Sequence, residues 1–230
     1  MSPFPETSDA ARLPAVVERI RDDFHSFVLA PDFSCLGARA ALRHDAYRFG
    51  AYGGMGSPAA TAALARDLAD FGRGAGDADF ATFVAAFVDP APGGEVEFEA
   101  RLWEQLRRLH DADPAPGGDP SVSDDPEDAH FSFSFAGTAF FVVGLHPDSS
   151  RLARRFGWPT LVFNPHAQFE RLRADGRYGR LRQAIREREV ALQGSLNPNL
   201  GDFGEASEAR QYSGRATDDS WRCPFHRRDD

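Results

Sequence analysis

The stretch HFSFSFAGTAFFVVGL, residues 130–145, decides the fold of this 230-residue chain. Its first part alternates Phe with small polar residues, and its second part is apolar throughout. Both are strong β patterns. Ala136, Gly137 and Thr138 separate them with a short turn, so we expect the two strands to form an antiparallel hairpin.

Further elements surround the hairpin on both sides. Strand patterns occur at residues 47–52 (YRFGAY), 80–88 (FATFVAAFV) and 160–163 (TLVF). Apolar spacing and capping residues predict helices at residues 10–29, 35–42, 58–71, 95–110, 165–174 and 178–192. These elements predict an α+β fold, in which several helices cover a small, mainly antiparallel or mixed sheet with a β-hairpin.

Two segments have no periodic pattern. Residues 111–128 (DADPAPGGDPSVSDDPED) are rich in Pro, Gly, Asp and Ser, and they predict a long loop. We expect this loop to be a mobile surface segment, with a lid over a site as the alternative. Residues 193–230 are irregular as well. No repeat or linker divides the chain, so we expect a single domain over residues 1–230.

Composition and charge narrow the classes of function. The net charge of −9 provides no basic surface for nucleic acid, and the absence of Lys excludes Schiff-base chemistry on a lysine. No apolar run approaches the ~18 residues that a membrane span needs. The N-terminal residues lack the pattern of a signal peptide. We therefore expect a cytoplasmic protein that binds neither nucleic acid nor membrane. Its 20 Phe residues fill the core or line an apolar cavity.

His146 is the first candidate for a cofactor ligand. It lies in GLHP, residues 144–147, directly after the predicted buried strand, where a rigid element holds a side chain beside a loop. A neutral imidazole binds iron or zinc, and a proximal His is a standard haem ligand. A hydrogen bond from His146 to the turn at the strand end would explain the residue equally well.

Two other residues could take the ligand role. Cys35 lies at a helix start, where the helix dipole should lower the thiol pKa and favour the thiolate that P450-type haem enzymes use. A lone Cys is more commonly a small buried apolar residue. His166 follows Asn164 and Pro165 at a second strand-to-helix junction, and a surface position would explain it as well.

A group of arginines follows the predicted ligand closely in sequence. Ser149 or Ser150 could cap a short helix, whose N-terminus favours an anion. Arg151, Arg154 and Arg155 could bind carboxylates in a bidentate manner. Haem propionates are such carboxylates, so a His ligand followed by these arginines suits haem. Arginines on a helix are otherwise most often part of a solvated surface.

A non-haem iron site is an alternative to haem. His146 and Asp148 form the His-x-Asp pattern that supplies two of the three ligands in many non-haem iron oxygenases, and His226 could be the third. Those enzymes need a β-rich jelly-roll fold. The several helices predicted here argue against that fold.

Six segments, in order along nearly the whole chain, resemble the YqcI/YcgG family. They are residues 34–41 (SCLGARAA), 47–50 (YRFG), 140–156 (FFVVGLHPDSSRLARRF), 161–173 (LVFNPHAQFERLR), 201–215 (GDFGEASEARQYSGR) and 221–226 (WRCPFH). That family includes haem-dependent N-hydroxylases. The resemblance therefore implies haem b as cofactor, O2 as oxidant and an external electron donor. It also implies N-hydroxylation of a guanidino or amino group on a small amino-acid-like substrate.

Such a substrate needs a carboxylate partner. Glu205 and Glu208, three residues apart in GDFGEASEAR, would share one face of a helix and are the predicted substrate-binding pair. A pair of surface carboxylates is the plain alternative. A haem-binding sensor or carrier without turnover would use the same His and Arg residues, so it stays open beside the enzyme.

Overall fold

The computed structural model describes residues 9–74, 79–88, 92–115 and 117–225. Five strands occur in these residues: β1 Tyr47–Tyr52, β2 Thr82–Phe87, β3 Phe133–Phe135, β4 Thr138–Leu145 and β5 Thr160–Pro165. They form a sheet in the order β1-β2-β5-β4-β3. Strands β1 and β2 are parallel, and the remaining neighbours are antiparallel. The predicted α+β fold with a small mixed sheet is confirmed.

The β3–β4 hairpin has the geometry that its sequence predicts. Phe135 pairs with Thr138, so Ala136 and Gly137 alone form the turn. Both residues have a positive φ, 51° at Ala136 and 75° at Gly137. Two positive φ angles define the type I′ turn, whose twist matches that of the flanking strands. Glycine at the second position adopts this conformation without steric cost.

Helices cover both faces of the sheet. Their bounds are α1 Asp9–Leu29, α2 Leu36–Arg43, α3 Pro58–Gly74, α4 Glu95–Asp111, α5 His166–Ala174, α6 Tyr178–Gln193 and α7 Ala209–Tyr212. Helix α3 connects β1 to β2 and packs with α4 on one face. Helices α1 and α2 pack on the opposite face, where α6 contacts α2. All six helices predicted from the sequence are present.

Side chains alternate between two cores along each central strand. Phe83 and Phe163 belong to a Phe-rich core on the α3–α4 face. Their chain neighbours Val84 and Val162 belong to the core on the α1–α2 face. Because the side-chain period of a strand is two, the parity of a residue decides which of the two faces it reaches.

Gly144 allows α4 to approach β4 closely. A Cβ at this position would lie 2.6 Å from Cε1 of Phe98 and 2.9 Å from Cδ1 of Leu102. Gly144→Ala should therefore lower the free energy of unfolding by ~2 kcal/mol, a typical cost of an overpacked core. Gly157→Ala is the control, since a Cβ there meets no atom within 4 Å. Urea unfolding measures both variants, and equal losses would contradict the close approach.

The long loop is bonded to the hairpin. Asp113 Oδ1 accepts from the backbone N–H of Ala136 at 2.9 Å, and Asp119 Oδ2 accepts from that of Ala139 at 3.1 Å. Ser123 also forms an isolated bridge with Phe131. These bonds attach the described part of residues 111–128 to the turn of the hairpin, to β4 and to the residues before β3, whereas the sequence favoured a mobile surface segment.

The C-terminal segment contributes to the core although it is mostly irregular. Tyr212, in the short helix α7, is fully buried and stacks on Trp103 with 5.6 Å between ring centroids. Cys223 and Phe225 are buried in the same core. The segment therefore closes the α4 face of the molecule. No helix in the described part of the chain is long and apolar enough to cross a membrane.

Candidate functional site

A cavity of about 330 Å³ lies between the sheet and helices α2 and α6. Val143, Val162 and Asn164 line it from the sheet, and residues 197 and 200–203 of the C-terminal segment line it as well. Its volume lies within the ~300–1,000 Å³ typical of small-molecule sites, and its walls are mostly apolar. None of the described residues in the loop at 111–128 lines this cavity, so that part of the loop does not cover it.

His166, the first residue of α5, lines the cavity with its side chain only 4% exposed. Its Nδ1 has no hydrogen-bond partner within the described residues, whereas Nε2 lies 3.2 Å from Oε1 of Glu170. Burial lowers the pKa of His166, so the ring is neutral near pH 7. A neutral imidazole with one nitrogen beside a carboxylate and the other without a partner resembles a metal-binding histidine.

His146 lies on the opposite face of the sheet. Leu145 lines the cavity, and the next residue therefore points toward α4, where the His146 ring stacks on Phe98 with centroids 4.3 Å apart. Neither ring nitrogen has a partner within the part of the chain that the structure describes. The structure thus does not bring the first predicted ligand to the cavity. The predicted alternative, a hydrogen bond from the ring to the turn, does not form with any described residue.

Cys35 lines the cavity as the N-cap of α2. Its Sγ accepts from the backbone N–H of Ala38 at 3.5 Å. The predicted lowering of the thiol pKa is wrong, because burial raises the pKa of Cys35 and outweighs the nearby N–H groups. Cys35 is therefore a thiol near pH 7, which makes it a poorer iron ligand than His166.

The three arginines predicted to bind propionates have different surroundings. Arg151 is buried and pairs with Glu189 at 2.6 Å. Arg155 is exposed, does not line the cavity, and donates from Nε to the carbonyl oxygen of Ser149. Arg154 lines the cavity and has no carboxylate within ion-pair distance in the described chain. Of the three, it alone is placed to bind an anion from the cavity.

The predicted acidic pair is divided by the fold. Glu205 is exposed, and its Oε2 accepts from the backbone N–H of Asp202 at 3.2 Å. Glu208 is buried and lines the cavity, where its Oε1 accepts from Ser132 Oγ at 2.8 Å and Tyr212 Oη at 2.6 Å. Burial raises the pKa of Glu208 to about 8 against these hydrogen bonds. Only Glu208 is placed to meet a ligand.

The protonation of Glu208 should make folding stability depend on pH. The folded chain keeps a proton on Glu208 between the ordinary pKa of 4.5 and about 8, whereas the unfolded chain has lost it. The unfolding free energy should therefore fall as pH rises through this window, by at most ~1.4 kcal/mol per pH unit, and level off above it.

Glu208→Gln isolates this effect, because the amide keeps a neutral, hydrogen-bonding side chain at every pH. Urea unfolding of wild type and variant at a series of pH values gives the difference in their free energies of unfolding. That difference should shift steadily in favour of the variant from about pH 5 to about pH 8. Parallel pH profiles would contradict the raised pKa.

A model of the YqcI/YcgG family matches residues 24–226. The chain belongs to the YqcI/YcgG family. The matched range contains the five strands described above and every described residue that lines the cavity. No significant similarity to curated proteins or to solved structures was found.

Several residues of this site were not predicted from the sequence, among them Glu170, Gln168 and Arg186. Glu170 could have been found, because it lies four residues after His166 and thus one helical turn away. Gln168 lines the cavity with a buried Oε1 that has no partner in the described residues. Arg186 lines it from α6. Neither of these two stands out in sequence, since Gln and Arg in a polar helix usually face solvent.

The non-haem iron alternative lacks its ligand set in the described residues. His146 is buried on the other face of the sheet, Asp148 is exposed, and His226 lies outside the described residues. No group of three His, Cys, Asp or Glu side chains in the described chain could hold a metal ion. A haem iron differs in this respect, because a single side chain is enough to ligate it.

Proposed function

We propose that this protein binds haem b in the cavity with His166 as the axial ligand, and that it N-hydroxylates a guanidino or amino group of a small amino-acid-like substrate. One observation carries the proposal: His166 is buried in the wall of a mostly apolar cavity, with an Nδ1 that has no partner in the described chain. Membership of the YqcI/YcgG family supports it, since that family includes haem-dependent N-hydroxylases.

The residues of the cavity suit a haem. The neutral His166 ring supplies a nitrogen donor, and Phe24, Phe33 and Phe141 supply apolar walls for a planar macrocycle. Glu170 would accept a hydrogen bond from Nε2 and so hold the orientation of the ring. Bound haem would supply the activation of O2, with electrons from an external donor.

Glu208 is the residue that we assign to the substrate. It lines the cavity, and a guanidinium or ammonium group beside it would lower its raised pKa. Binding a cationic substrate would then release a proton from Glu208 and leave a charge-assisted hydrogen bond away from water. The apolar walls around the pair would keep water from competing for it.

Haem loading followed by product analysis tests the proposal. Apoprotein is titrated with ferric haem and followed by its Soret absorption. The loaded protein is then incubated with a reductant, O2 and a panel of amines and guanidino compounds. A product heavier by one oxygen atom, bonded to nitrogen, is the expected result. Haem binding without product would favour the sensor or carrier, and no Soret band would end the proposal.

A further inference from the structure

Several arginines line the cavity, although most of its wall is apolar. Five of them do so: Arg151, Arg154, Arg173, Arg182 and Arg186. Three are neutralised by carboxylates, in the pairs Arg151–Glu189, Arg173–Glu170 and Arg182–Asp202. Arg154 and Arg186 have no such partner in the described residues. The wall of the cavity therefore carries two positive charges that the described protein does not balance.

Arg154 is held in place by neutral groups. Its Nη1 donates to the carbonyl oxygens of Tyr212 at 3.0 Å and Gly144 at 3.3 Å, which leaves Nε and Nη2 without a hydrogen bond in the described chain. A Cβ on Gly214 would lie 2.9 Å from Cδ of Arg154, so the chain covers the stem of the side chain closely. Burial lowers the pKa of Arg154 to about 10, and the guanidinium stays charged at neutral pH.

Arg186 lies on α6, on the same cavity. It is half-buried and forms no ion pair with a described residue. Glu208, the remaining acidic residue that lines the cavity in the described chain, does not neutralise Arg186. Burial raises the pKa of Glu208 to about 8, so its carboxyl group is protonated and uncharged near pH 7. A partly buried charge without a counter-ion is costly, since it loses hydration without gaining a partner.

We propose that Arg154 and Arg186 bind two carboxylate groups of one anionic ligand whose apolar body fills the cavity. The inference deepens the proposed function and rests on it in one respect: with haem as the ligand, the two carboxylates are its propionates. A carboxylate on the substrate would offer the same chemistry to either arginine. Arg151 and Arg155, which the sequence places beside Arg154, take no part.

Titration of apoprotein with ferric haem and with ferric haem dimethyl ester separates the carboxylates from the macrocycle. Arg154→Gln and Arg186→Gln should each weaken haem binding at least about tenfold, the loss expected for one charge-assisted hydrogen bond. Both should leave the binding of the ester unchanged. Arg154→Lys should retain part of the affinity because it keeps the charge. Arg155→Gln is the matched control and should bind haem as wild type does.

A second probe measures the two charges without haem. The dye 8-anilinonaphthalene-1-sulfonate carries an anionic group on an apolar body, and N-phenyl-1-naphthylamine is its uncharged counterpart. Fluorescence titration of apoprotein should show that both arginine variants bind the sulfonate more weakly and the uncharged dye equally well. Urea unfolding of each variant checks that the fold is retained.

The outcomes separate this inference from the proposed function. If wild type binds no haem but the sulfonate depends on both arginines, the anion site stands and the haem proposal falls. If haem binds with equal affinity to all variants while the sulfonate depends on the arginines, the site stands and belongs to a substrate carboxylate. If neither anion depends on Arg154 or Arg186, the inference is overturned, whether or not haem binds.

Discussion

Replacing His166 with alanine should weaken haem binding by more than about 100-fold, because even the loss of a residue that only supports a metal ligand costs about 10- to 100-fold. The fold should survive, since His166 lies at the start of α5 and outside both hydrophobic cores. Titration of the apoprotein with ferric haem, followed at the Soret band, measures the loss. Added imidazole should restore part of the spectrum by occupying the space that the side chain leaves.

His146→Leu is the matched control for this experiment. It removes a histidine that is equally buried but faces α4, where its ring nitrogens have no partner in the described residues. Haem affinity should stay within about twofold of wild type, and the free energy of unfolding should not fall, because no buried hydrogen bond is lost. Loss of haem from His146→Leu with normal binding by His166→Ala would restore His146 as the ligand.

Cys35→Ser tests whether Cys35, the remaining candidate, is the axial ligand of the haem. The raised pKa of the Cys35 thiol predicts that the ferrous carbonyl complex lacks the long-wavelength absorption of thiolate-bound haem. The variant should therefore keep the wild-type spectrum. A long-wavelength band in wild type that Cys35→Ser removes would assign the iron to sulfur and exclude His166 as the ligand in that state.

Glu189→Ala should destabilise the folded chain by about 3–5 kcal/mol, the range found when one partner of a buried ion pair is removed. Glu189 Oε1 lies 2.6 Å from Nη2 of Arg151, and its Oε2 accepts from Ser34 Oγ at 2.8 Å. Arg151 also donates to the carbonyl oxygen of Ser195 at 2.6 Å. The carboxylate thus connects α6 with Ser34, just before α2, and with Arg151 in the segment between β4 and β5. Urea unfolding measures the loss.

Glu187→Ala is the control for this prediction, because Glu187 is exposed on the same helix and, among the described residues, accepts a hydrogen bond only from Gln183 Nε2. Its effect should stay within about 0.5 kcal/mol. The double variant Arg151→Met, Glu189→Leu should recover most of the loss, since it removes the unpaired charge together with its former partner. A loss in the double variant as large as the sum of the single losses would contradict this account of the pair.

Local sequence patterns were sufficient to predict most of the strands and helices of the fold. The alternating Phe residues before Ala136-Gly137 and the apolar run after them predicted β3 and β4, and helical spacing predicted the six longer helices. Each of these signals depends on a few consecutive residues and on the period of a strand or a helix, so no knowledge of packing was needed. The loop at residues 111–128 was predicted less well, because the carboxylates of Asp113 and Asp119 bond to backbone groups more than 15 residues away.

Packing, in contrast, decided which residues form the site. Period-two alternation implies that Leu145 and His146 face opposite sides of the sheet, but no local pattern says which side has the cavity. That side follows from how α2 and α6 cover the sheet. Glu189 and Arg186 are both visible in the sequence of α6. Only the assembled fold pairs Glu189 with Arg151 and leaves Arg186 without an ion-pair partner in the described chain.

The sequence by itself determined the α+β fold, the hairpin and membership of the YqcI/YcgG family. It also predicted part of the site, including His166, Arg154 and Glu208, but not Glu170 or Arg186. Only the tertiary structure decided that His166 rather than His146 lines the cavity, that Glu208 does so without Glu205, and that the pKa of the Cys35 thiol is raised. The physical reason is that burial and charge pairing depend on neighbours from distant parts of the chain, whereas strand and helix patterns depend on neighbours in sequence.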